Sequence, residues 1–152
     1  MKINVIAVGR LKEKFFVDAV NEYAKRLGAY CDFSVTEVAA APPAKSPAEQ
    51  STEEGENLLR KARGFVVALD GRGKTLSSSE FAATISAECT KGVSEFSFLI
   101  GGSHGLCDRV RERADMVLSF GKMTFPHQLF RIMLCEQIYR ALTINAGTPY
   151  HK

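Results

Sequence analysis

Short apolar runs alternate with segments of helical character along the whole chain, and this alternation constrains the fold more than any other feature. Runs typical of strands cover residues 3–9, 31–38, 64–70, 95–101 and 116–120. Segments with apolar residues at helical spacing, or with helix-start signals, cover residues 12–28, 46–62, 77–91, 107–114 and 126–145. Strands separated by helices predict an α/β fold in which a mostly parallel sheet is flanked by helices on both faces. A length of 152 residues fits a single domain over residues 1–152.

Two of the predicted helices begin with a recognisable capping box. Ser46 is followed by a proline and then by Glu49, and Ser77 is followed three positions later by Glu80. At this spacing the serine and glutamate side chains satisfy backbone amides of the first helical turn. The Pro/Ala-rich stretch before the first box, residues 39–47, is expected to be a loop and the most mobile segment of the chain.

The composition excludes several classes of protein. With 45% hydrophobic and 24% charged residues the chain resembles an ordinary globular protein, and no run approaches the ~20 apolar residues that a membrane span needs. The formal net charge of +3 allows an anionic partner such as RNA but does not require one. No signal peptide is recognised, so the four scattered cysteines are expected to be free thiols in the cytoplasm. His104 and Cys107 lack a second ligand pair, so no metal site is predicted.

Residues 101–105, Gly-Gly-Ser-His-Gly, follow a predicted strand and allow two interpretations. They match G-x-S-x-G, the turn that exposes the nucleophilic serine of α/β-hydrolases, with Ser103 as the nucleophile. Asp108 or Asp115 could then complete a triad with His127. Alternatively, two glycines at the carboxyl end of a parallel strand suit a close approach of the backbone to a ligand. The short chain favours the second interpretation.

Residues 68–75, ALDGRGKT, end like a phosphate-binding P-loop. However, Ala68 stands where the G-x-x-x-x-G-K-[ST] pattern has its first glycine. The helix-start signal at Ser77 also comes too late for helix amides to face a phosphate. We therefore expect a flexible turn between a strand and a helix here, and no nucleotide triphosphate site.

The last predicted helix carries a charge on an apolar face. Pro126 suits its first position and places His127 in the first turn. Arg131 heads a stripe of apolar residues at helical spacing, namely Leu134, Cys135, Ile138 and Leu142. A buried arginine needs an anionic partner or a ligand, unless its charged end reaches solvent at the helix end.

The other side of this helix is also largely apolar, through Leu129, Ile132, Met133, Tyr139 and Ile144. In so small a domain a second apolar face needs a second cover, and this predicts a homodimer. The chain ends in Tyr150, His151 and Lys152. They offer a stacking ring, an imidazole and a cation, a combination suited to an RNA base.

Four segments together resemble the SPOUT, or α/β-knot, RNA methyltransferases. They are LIGGSHGL (99–106), LSFGKMTFPHQLFR (118–131), EQIYRA (136–141) and the terminal YHK, and the likeness extends to INVIAVGRLKEKF at the start. The resemblance implies a C-terminal trefoil knot, binding of S-adenosylmethionine (SAM) by loops at strand ends, and a homodimer. The reaction that it implies is methylation of the N3 atom of a pseudouridine in large-subunit ribosomal RNA.

By position, the resemblance places cofactor-binding residues in three loops: Leu69, then Ile100 and Gly101, then Phe120, Gly121, Lys122, Met123, Thr124 and Phe125. Gly121 is expected to make the third loop flexible. The predicted catalytic residues are His127, Arg131, Tyr150 and His151, with the tail acting across the dimer interface. The modest net charge suggests weak affinity for naked RNA, so an assembled ribosome is the expected substrate. A small serine hydrolase using Ser103 and a non-enzymatic dimer that binds ribosomes remain as alternatives.

Overall fold

A computed structural model describes all residues, 1–152. Five strands alternate with five helices in the predicted order. The elements are β1 (Lys2–Val8), α1 (Lys14–Leu27), β2 (Asp32–Val38), α2 (Pro47–Lys61), β3 (Phe65–Thr75), α3 (Ser78–Thr90), β4 (Glu95–Ile100), α4 (Asp108–Arg113), β5 (Met116–Ser119) and α5 (His127–Asn145). Both capping boxes form, so the helix starts at Ser46 and Ser77 are confirmed.

The five strands form one sheet in the order β2-β1-β4-β3-β5, and every pairing in it is parallel. This confirms the predicted α/β class. Because parallel strands end on the same side, the loops that follow β1, β2, β4 and β5 all lie at one edge of the sheet, called the carboxyl edge below. Open parallel sheets bind their ligands at this edge.

Helices cover both faces of the sheet, and each face has its own apolar core. On one face α1, α3 and α5 pack against the larger cluster, whose central side chains include Phe81, Phe98, Leu134 and Ile138. On the other face α2 and α4 pack against a smaller cluster that contains Leu58, Leu99 and Val110. Residues near the strand ends are therefore held between two rigid layers.

The expected turn after residue 70 was wrong. Strand β3 continues to Thr75, and the pairing of β3 with β5 shifts register between Leu69 and Lys74. Residues 70–73 form a bulge at the carboxyl edge. A side chain at Gly73 would place its Cβ atom 2.5 Å from the carbonyl oxygen of Val117, so the return of β3 to β5 requires glycine at this position. The bulge explains why a P-loop-like sequence occurs inside a strand.

Helix α5 returns from edge strand β5 across the sheet and packs against both α1 and α3. It begins at His127, with Pro126 at the preceding cap position. This return path is the part of the chain that the SPOUT resemblance expects to be knotted, and the knot itself stays a prediction. None of the five helices combines the length and apolar character that a membrane crossing requires.

Candidate active site

Three segments at the carboxyl edge surround one cleft of about 670 Å³. They are the β3 bulge, the loop after β4, and the loop between β5 and α5, which also supplies Phe130 from the helix. The lining residues are Asp70, Gly71, Gly102, Ser103, Gly105, the run from Leu118 to His127, and Phe130. We call this space the central cleft.

The loop after β4 is a tight turn built from glycines. The amide of Gly105 donates to the carbonyl of Gly102 over 3.0 Å, and Gly105 adopts a φ of +71°, which favours glycine. A Cβ atom at Gly101 would lie 2.7 Å from the carbonyl carbon of Gly105. Backbone atoms therefore face the cleft here, and Ser103 is exposed at the tip of the turn.

A buried carboxylate lies behind this turn. Glu54 of α2 is 4% exposed, and its Oε1 atom accepts a hydrogen bond from the Ala41 amide over 3.1 Å. Its Oε2 atom has no hydrogen-bond partner and would lie 2.8 Å from a Cβ atom at Gly102. Glu54 thus ties the Pro/Ala-rich loop to the interior, and a side chain at position 102 would have to displace its carboxylate.

The loop between β5 and α5 is shaped by one glycine and one aromatic pair. Gly121 has a φ of +111°, and its amide donates to Ser119 Oγ over 3.1 Å. The glycine is therefore needed for the conformation of the loop, beyond the flexibility expected from the sequence. Phe120 packs against Phe130 of α5, with ring centroids 4.7 Å apart, while Met123 is 80% exposed.

An ion pair fixes the β3 bulge. Arg111 of α4 donates to Asp70 Oδ2 over 2.9 Å, and both side chains are largely buried. Arg111 also contacts Asp108 and the carbonyl of Leu106. Burial opposes the charged guanidinium, but the two carboxylates outweigh it and raise the pKa of Arg111. Arg111 therefore links the β3 bulge to α4, the helix that follows the loop after β4.

His127 lies at a junction of three depressions. It lines the central cleft, a second depression of about 670 Å³ beside Arg10 and Lys12, and a smaller one of about 280 Å³ beside Glu54. The first residue of α5 is therefore in reach of any ligand in these spaces. No other ionisable side chain lines all three.

Arg131, one turn further along α5, is 1% exposed. It donates to Glu37 Oε2 over 2.9 Å and to the carbonyl of Gly9 over 3.2 Å. Its Nε atom is buried without a partner. The prediction of a buried charge at this position is confirmed, and the anionic partner within the chain is Glu37. Arg131 thereby joins the start of α5 to the ends of β1 and β2.

The C-terminal tail is docked against the far part of α5. The hydroxyl of Tyr150 donates to Glu136 over 3.0 Å, and the guanidinium of Arg140 lies 4.8 Å from the centre of the Tyr150 ring. Arg140 also contacts His151 Nδ1 over 3.2 Å, and the Tyr139 and Tyr150 rings meet edge to face. The tail is therefore ordered against its own helix.

Electrostatics inside this tail cluster follow from burial and from the paired charges. Burial opposes ionisation of Glu136, but the tyrosine hydroxyls and Arg140 beside it outweigh that effect and lower its pKa. Burial and the Glu136 carboxylate both raise the pKa of Tyr150. The docked tail therefore favours an ionised Glu136 and a neutral Tyr150.

Comparison with known proteins decides the family. The family model described as "Predicted SPOUT methyltransferase" matches residues 1–151. The chain belongs to the SPOUT methyltransferase family. Proteins named ribosomal RNA large subunit methyltransferase H are similar to it over their whole length. Those of Limosilactobacillus reuteri and Clostridium acetobutylicum are 51% and 50% identical, with full coverage of both chains.

Solved structures support the same fold for this SPOUT chain. A probable methylase family protein from Haemophilus influenzae superposes with a TM-score of 0.56 at 11% identity, covering 99% of this chain and 70% of that one. A protein from Legionella pneumophila, described as a methyltransferase and solved with bound SAM, gives a TM-score of 0.52 at 13% identity. The superposition covers 95% of this chain and 66% of the Legionella chain.

The structure gathers most of the cofactor-binding residues that the SPOUT resemblance predicts. All six from Phe120 to Phe125 line the central cleft. Leu69, Ile100 and Gly101 are buried and do not line the cleft themselves; they precede the lining residues Asp70 and Gly102 by one or two positions. These three positions therefore lead into the cleft wall without forming it.

The predicted catalytic residues do not meet within one SPOUT protomer. His127 lines the central cleft, whereas Arg131 is enclosed and Tyr150 and His151 lie beside Glu136 and Arg140. Nine residues separate His127 from Glu136 on α5, which corresponds to about 13 Å along the helix axis. The docked tail is therefore held at a distance from His127 of the same chain.

A hydrolytic triad does not form around Ser103. Asp108 pairs with Arg111, and Asp115 accepts a hydrogen bond from the Val66 amide over 2.8 Å. The Ser103 hydroxyl has no histidine within hydrogen-bond distance. No group of three or more His, Cys, Asp or Glu side chains is placed to hold a metal ion. The geometry thus favours the ligand-binding interpretation of the glycine turn.

Sequence reasoning missed three side chains that shape this SPOUT site: Glu37, Glu54 and Arg111. Glu54 is a charged residue in the middle of α2, four positions before the buried Leu58. That spacing places it on the buried face of the helix and is the only sequence signal for its role. Glu37 and Arg111 lie in alternating or charged segments and show no comparable signal.

Proposed function

We propose that this protein is a SAM-dependent methyltransferase of large-subunit ribosomal RNA that modifies the N3 atom of a pseudouridine. The observation that carries the proposal is end-to-end similarity, at about half of all positions, to proteins named ribosomal RNA large subunit methyltransferase H. The central cleft supports it, because its three walls are the loops where the family resemblance expects the cofactor. The fold supports it as well, since one structural relative was solved with SAM.

The central cleft fits SAM in size and in chemistry. A volume of about 670 Å³ lies within the range of small-molecule sites. Leu118, Met123 and Phe125 offer apolar surface for an adenine ring, while the turn at Gly102 and Gly105 offers backbone groups for polar atoms. When bound, the cofactor would supply an electrophilic methyl group and leave as a neutral thioether once its methyl–sulfur bond is broken.

His127 is the residue that we assign to the proton. Forming an N3–methyl bond requires that the N3–H bond breaks, and the proton must pass to a base. His127 is the only histidine that lines the central cleft, at the start of a helix anchored by Arg131. Arg131 is enclosed and paired, so we assign it the role of positioning α5, and with it His127.

A homodimer accounts for the remaining predicted residues. The outer face of α5 leaves Ile132, Met133 and Tyr139 only half-buried and Leu129 exposed. An apolar groove of about 680 Å³ beside this face is continuous with the central cleft through Leu118 to Gly121. A second copy placed here would cover the apolar face, and its tail would bring Tyr150 and His151 to the cleft from outside.

Cofactor binding gives the first test, by calorimetric titration with SAM. Gly71 lines the central cleft, and a Cβ atom there would meet nothing within 4 Å. Gly71→Phe should therefore fill the cleft without disturbing the fold, and saturable binding by the wild type should be lost. Gly28→Phe is the matched control, because Gly28 is exposed at the end of α1 in an ordinary helical conformation.

Transfer of labelled methyl groups gives the second test. Ribosomes that lack the modification should accept label, and nuclease digestion should yield 3-methylpseudouridine, with protein-free RNA a poor substrate. His127→Ala should lower the rate about 100-fold or more while SAM affinity is retained. Deletion of Tyr150 to Lys152 should abolish turnover and spare SAM binding. Absence of SAM binding by the wild type, with and without ribosomes, contradicts the proposed function, and labelling of Ser103 by a fluorophosphonate would establish the hydrolase alternative.

A further inference from the structure

The loop after β1 leads directly into the most accessible phenylalanine of the protein. Phe15, in the first turn of α1, is 64% exposed and leans on Phe16, with ring centroids 4.4 Å apart. Apart from Met1, the other large hydrophobic side chains that are well exposed are Met123 in the cofactor loop and Leu129 on the outer face of α5. Phe15 belongs neither to the core nor to the lining of the central cleft, so its ring is free to stack on a partner.

The same loop carries two cations without a partner. Arg10 and Lys12 are exposed and form no ion pair. Both line the second depression of about 670 Å³, which extends to His127 and Gln128. The one acidic residue in this lining, Glu37, is already engaged by Arg131 and by the Leu11 amide. The depression therefore presents uncompensated positive charge next to His127.

Charge alone does not single out this surface. Unpaired cations also occur at the opposite edge of the sheet, where Arg60 and Lys61 end α2 and Arg63 precedes β3. That group has no exposed aromatic ring and no depression that reaches the central cleft. Only residues 10–15 combine an exposed ring with free cations that line a depression shared with His127, the residue assigned to the proton.

We propose that residues 10–15 bind the ribosomal RNA strand beside the target nucleotide, with Phe15 stacked on a base and Arg10 and Lys12 paired with phosphates. Aromatic stacking and cationic grooves are how proteins hold unpaired RNA. The inference rests on the proposed function for the identity of the partner. The segment holds one carboxylate, that of Glu13 at the N-cap of α1, against the cations Arg10, Lys12 and Lys14, so it keeps a formal net charge of +2.

The test measures binding to ribosomes separately from methylation. Co-sedimentation with unmodified ribosomes gives an affinity at several salt concentrations, and calorimetry gives SAM affinity for the same proteins. Arg10→Ala/Lys12→Ala should weaken ribosome binding about tenfold and lower the slope of log affinity against log salt by about 1.5 to 2. Phe15→Ala should weaken binding about tenfold with an unchanged salt slope. SAM affinity should stay at the wild-type value in both.

Matched variants separate stacking and local charge from general effects. Phe15→Tyr should restore binding because the ring is kept, whereas Phe15→Leu keeps apolar area without a ring and should not. Arg60→Ala/Lys61→Ala removes the same charge from the opposite edge and should bind as the wild type does. If Arg60→Ala/Lys61→Ala weakens ribosome binding as much as Arg10→Ala/Lys12→Ala does, net charge alone explains the loss and the proposal is overturned.

Other outcomes are equally decisive. Wild-type affinity in the loop variants overturns the proposal. Loss of the dimer by Phe15→Ala in sedimentation would assign Phe15 to a contact between copies and overturn it as well. Ribosome binding without any methyl transfer would refute the proposed function while the loop variants still decide this inference. If the wild type binds no ribosomes, the inference fails even where SAM binds.

Discussion

Replacing Arg131 by methionine is expected to destabilise the protein by about 3 kcal/mol, because the change removes a buried link between α5 and the sheet. The two hydrogen bonds to Glu37 and Gly9 measure 2.9 and 3.2 Å. Bonds from a charged group contribute about 1.5 to 3 kcal/mol each, so their loss costs about 3 to 6 kcal/mol. The Glu37 side chain is 38% exposed and regains water, which reduces this cost. Removing the Nε donor, which is buried without a partner, stabilises the fold by about 1 kcal/mol or more and offsets part of the loss.

Urea unfolding followed by circular dichroism measures this loss, and calorimetry with SAM shows whether the cleft survives. At 152 residues, 3 kcal/mol corresponds to a fall in Tm of about 6 to 12 °C. Glu37→Gln alone should also be destabilising, since it leaves the Arg131 charge buried without its carboxylate. The double variant should lose no more than Arg131→Met, because the two changes remove the same interaction.

The reasoning is refuted by one pattern of results. If Arg131→Met costs less than about 1 kcal/mol and yet abolishes methyl transfer with SAM binding intact, Arg131 acts on the substrate directly. It would then have to leave Glu37 during the reaction. A large loss of stability together with a modest, parallel loss of activity supports the positioning role.

Three further predictions concern the rest of the molecule. Gly55→Ala should destabilise the fold by about 1 to 2 kcal/mol despite the better helix propensity of alanine, because its Cβ atom would lie 2.6 Å from the sulfur of Cys107. Urea unfolding measures the sign of this change in the free energy of unfolding. A thiol reagent at pH 8 should modify exposed Cys89 first and Cys135 only on unfolding, since burial raises the pKa of Cys135 to about 12; peptide mapping shows the order. The tail should resist carboxypeptidase above pH 4.5 and become progressively more susceptible below it. The pKa of Glu136 is lowered in the folded protein, so the ionised carboxylate stabilises the contact with Tyr150 fully above the ordinary value of 4.5, and this stabilisation is lost as the pH falls through the lowered pKa. In Glu136→Gln this pH dependence should disappear.

The order and type of the elements could be predicted from local sequence because local rules determine them. Capping boxes at Ser46 and Ser77 act over three residues, and apolar periodicity acts over one helix. The extension of β3 to Thr75 could not be predicted in this way. The extension depends on the backbone of β5, which lies against Gly73 although it is more than 40 residues away in the sequence. This close approach requires a glycine, and in the local sequence that glycine indicates a turn.

The candidate site was only partly predictable for the same reason. The glycine turn at 101–105 and the run from Phe120 to Phe125 are each continuous in the sequence and carry a family pattern. By contrast, the partner of Arg131 is 94 residues away in the sequence. The sequence shows that a buried arginine needs an anion, but several carboxylates could meet that need. Only the parallel pairing of β1 with β2 brings Glu37 beside the start of α5.

The position of the tail changes how the four predicted catalytic residues relate to each other. His127 begins α5, and Tyr150 is fastened to Glu136 about 13 Å further along the same helix. Tail residues can reach His127 of their own chain only if the bonds to Glu136 and Arg140 break. In the proposed homodimer a second copy would need no such change, because it would present an already ordered tail across the half-buried face of α5. Order in the docked tail therefore favours a shared site over a flexible one, since a preorganised Tyr150 loses less conformational entropy when substrate binds.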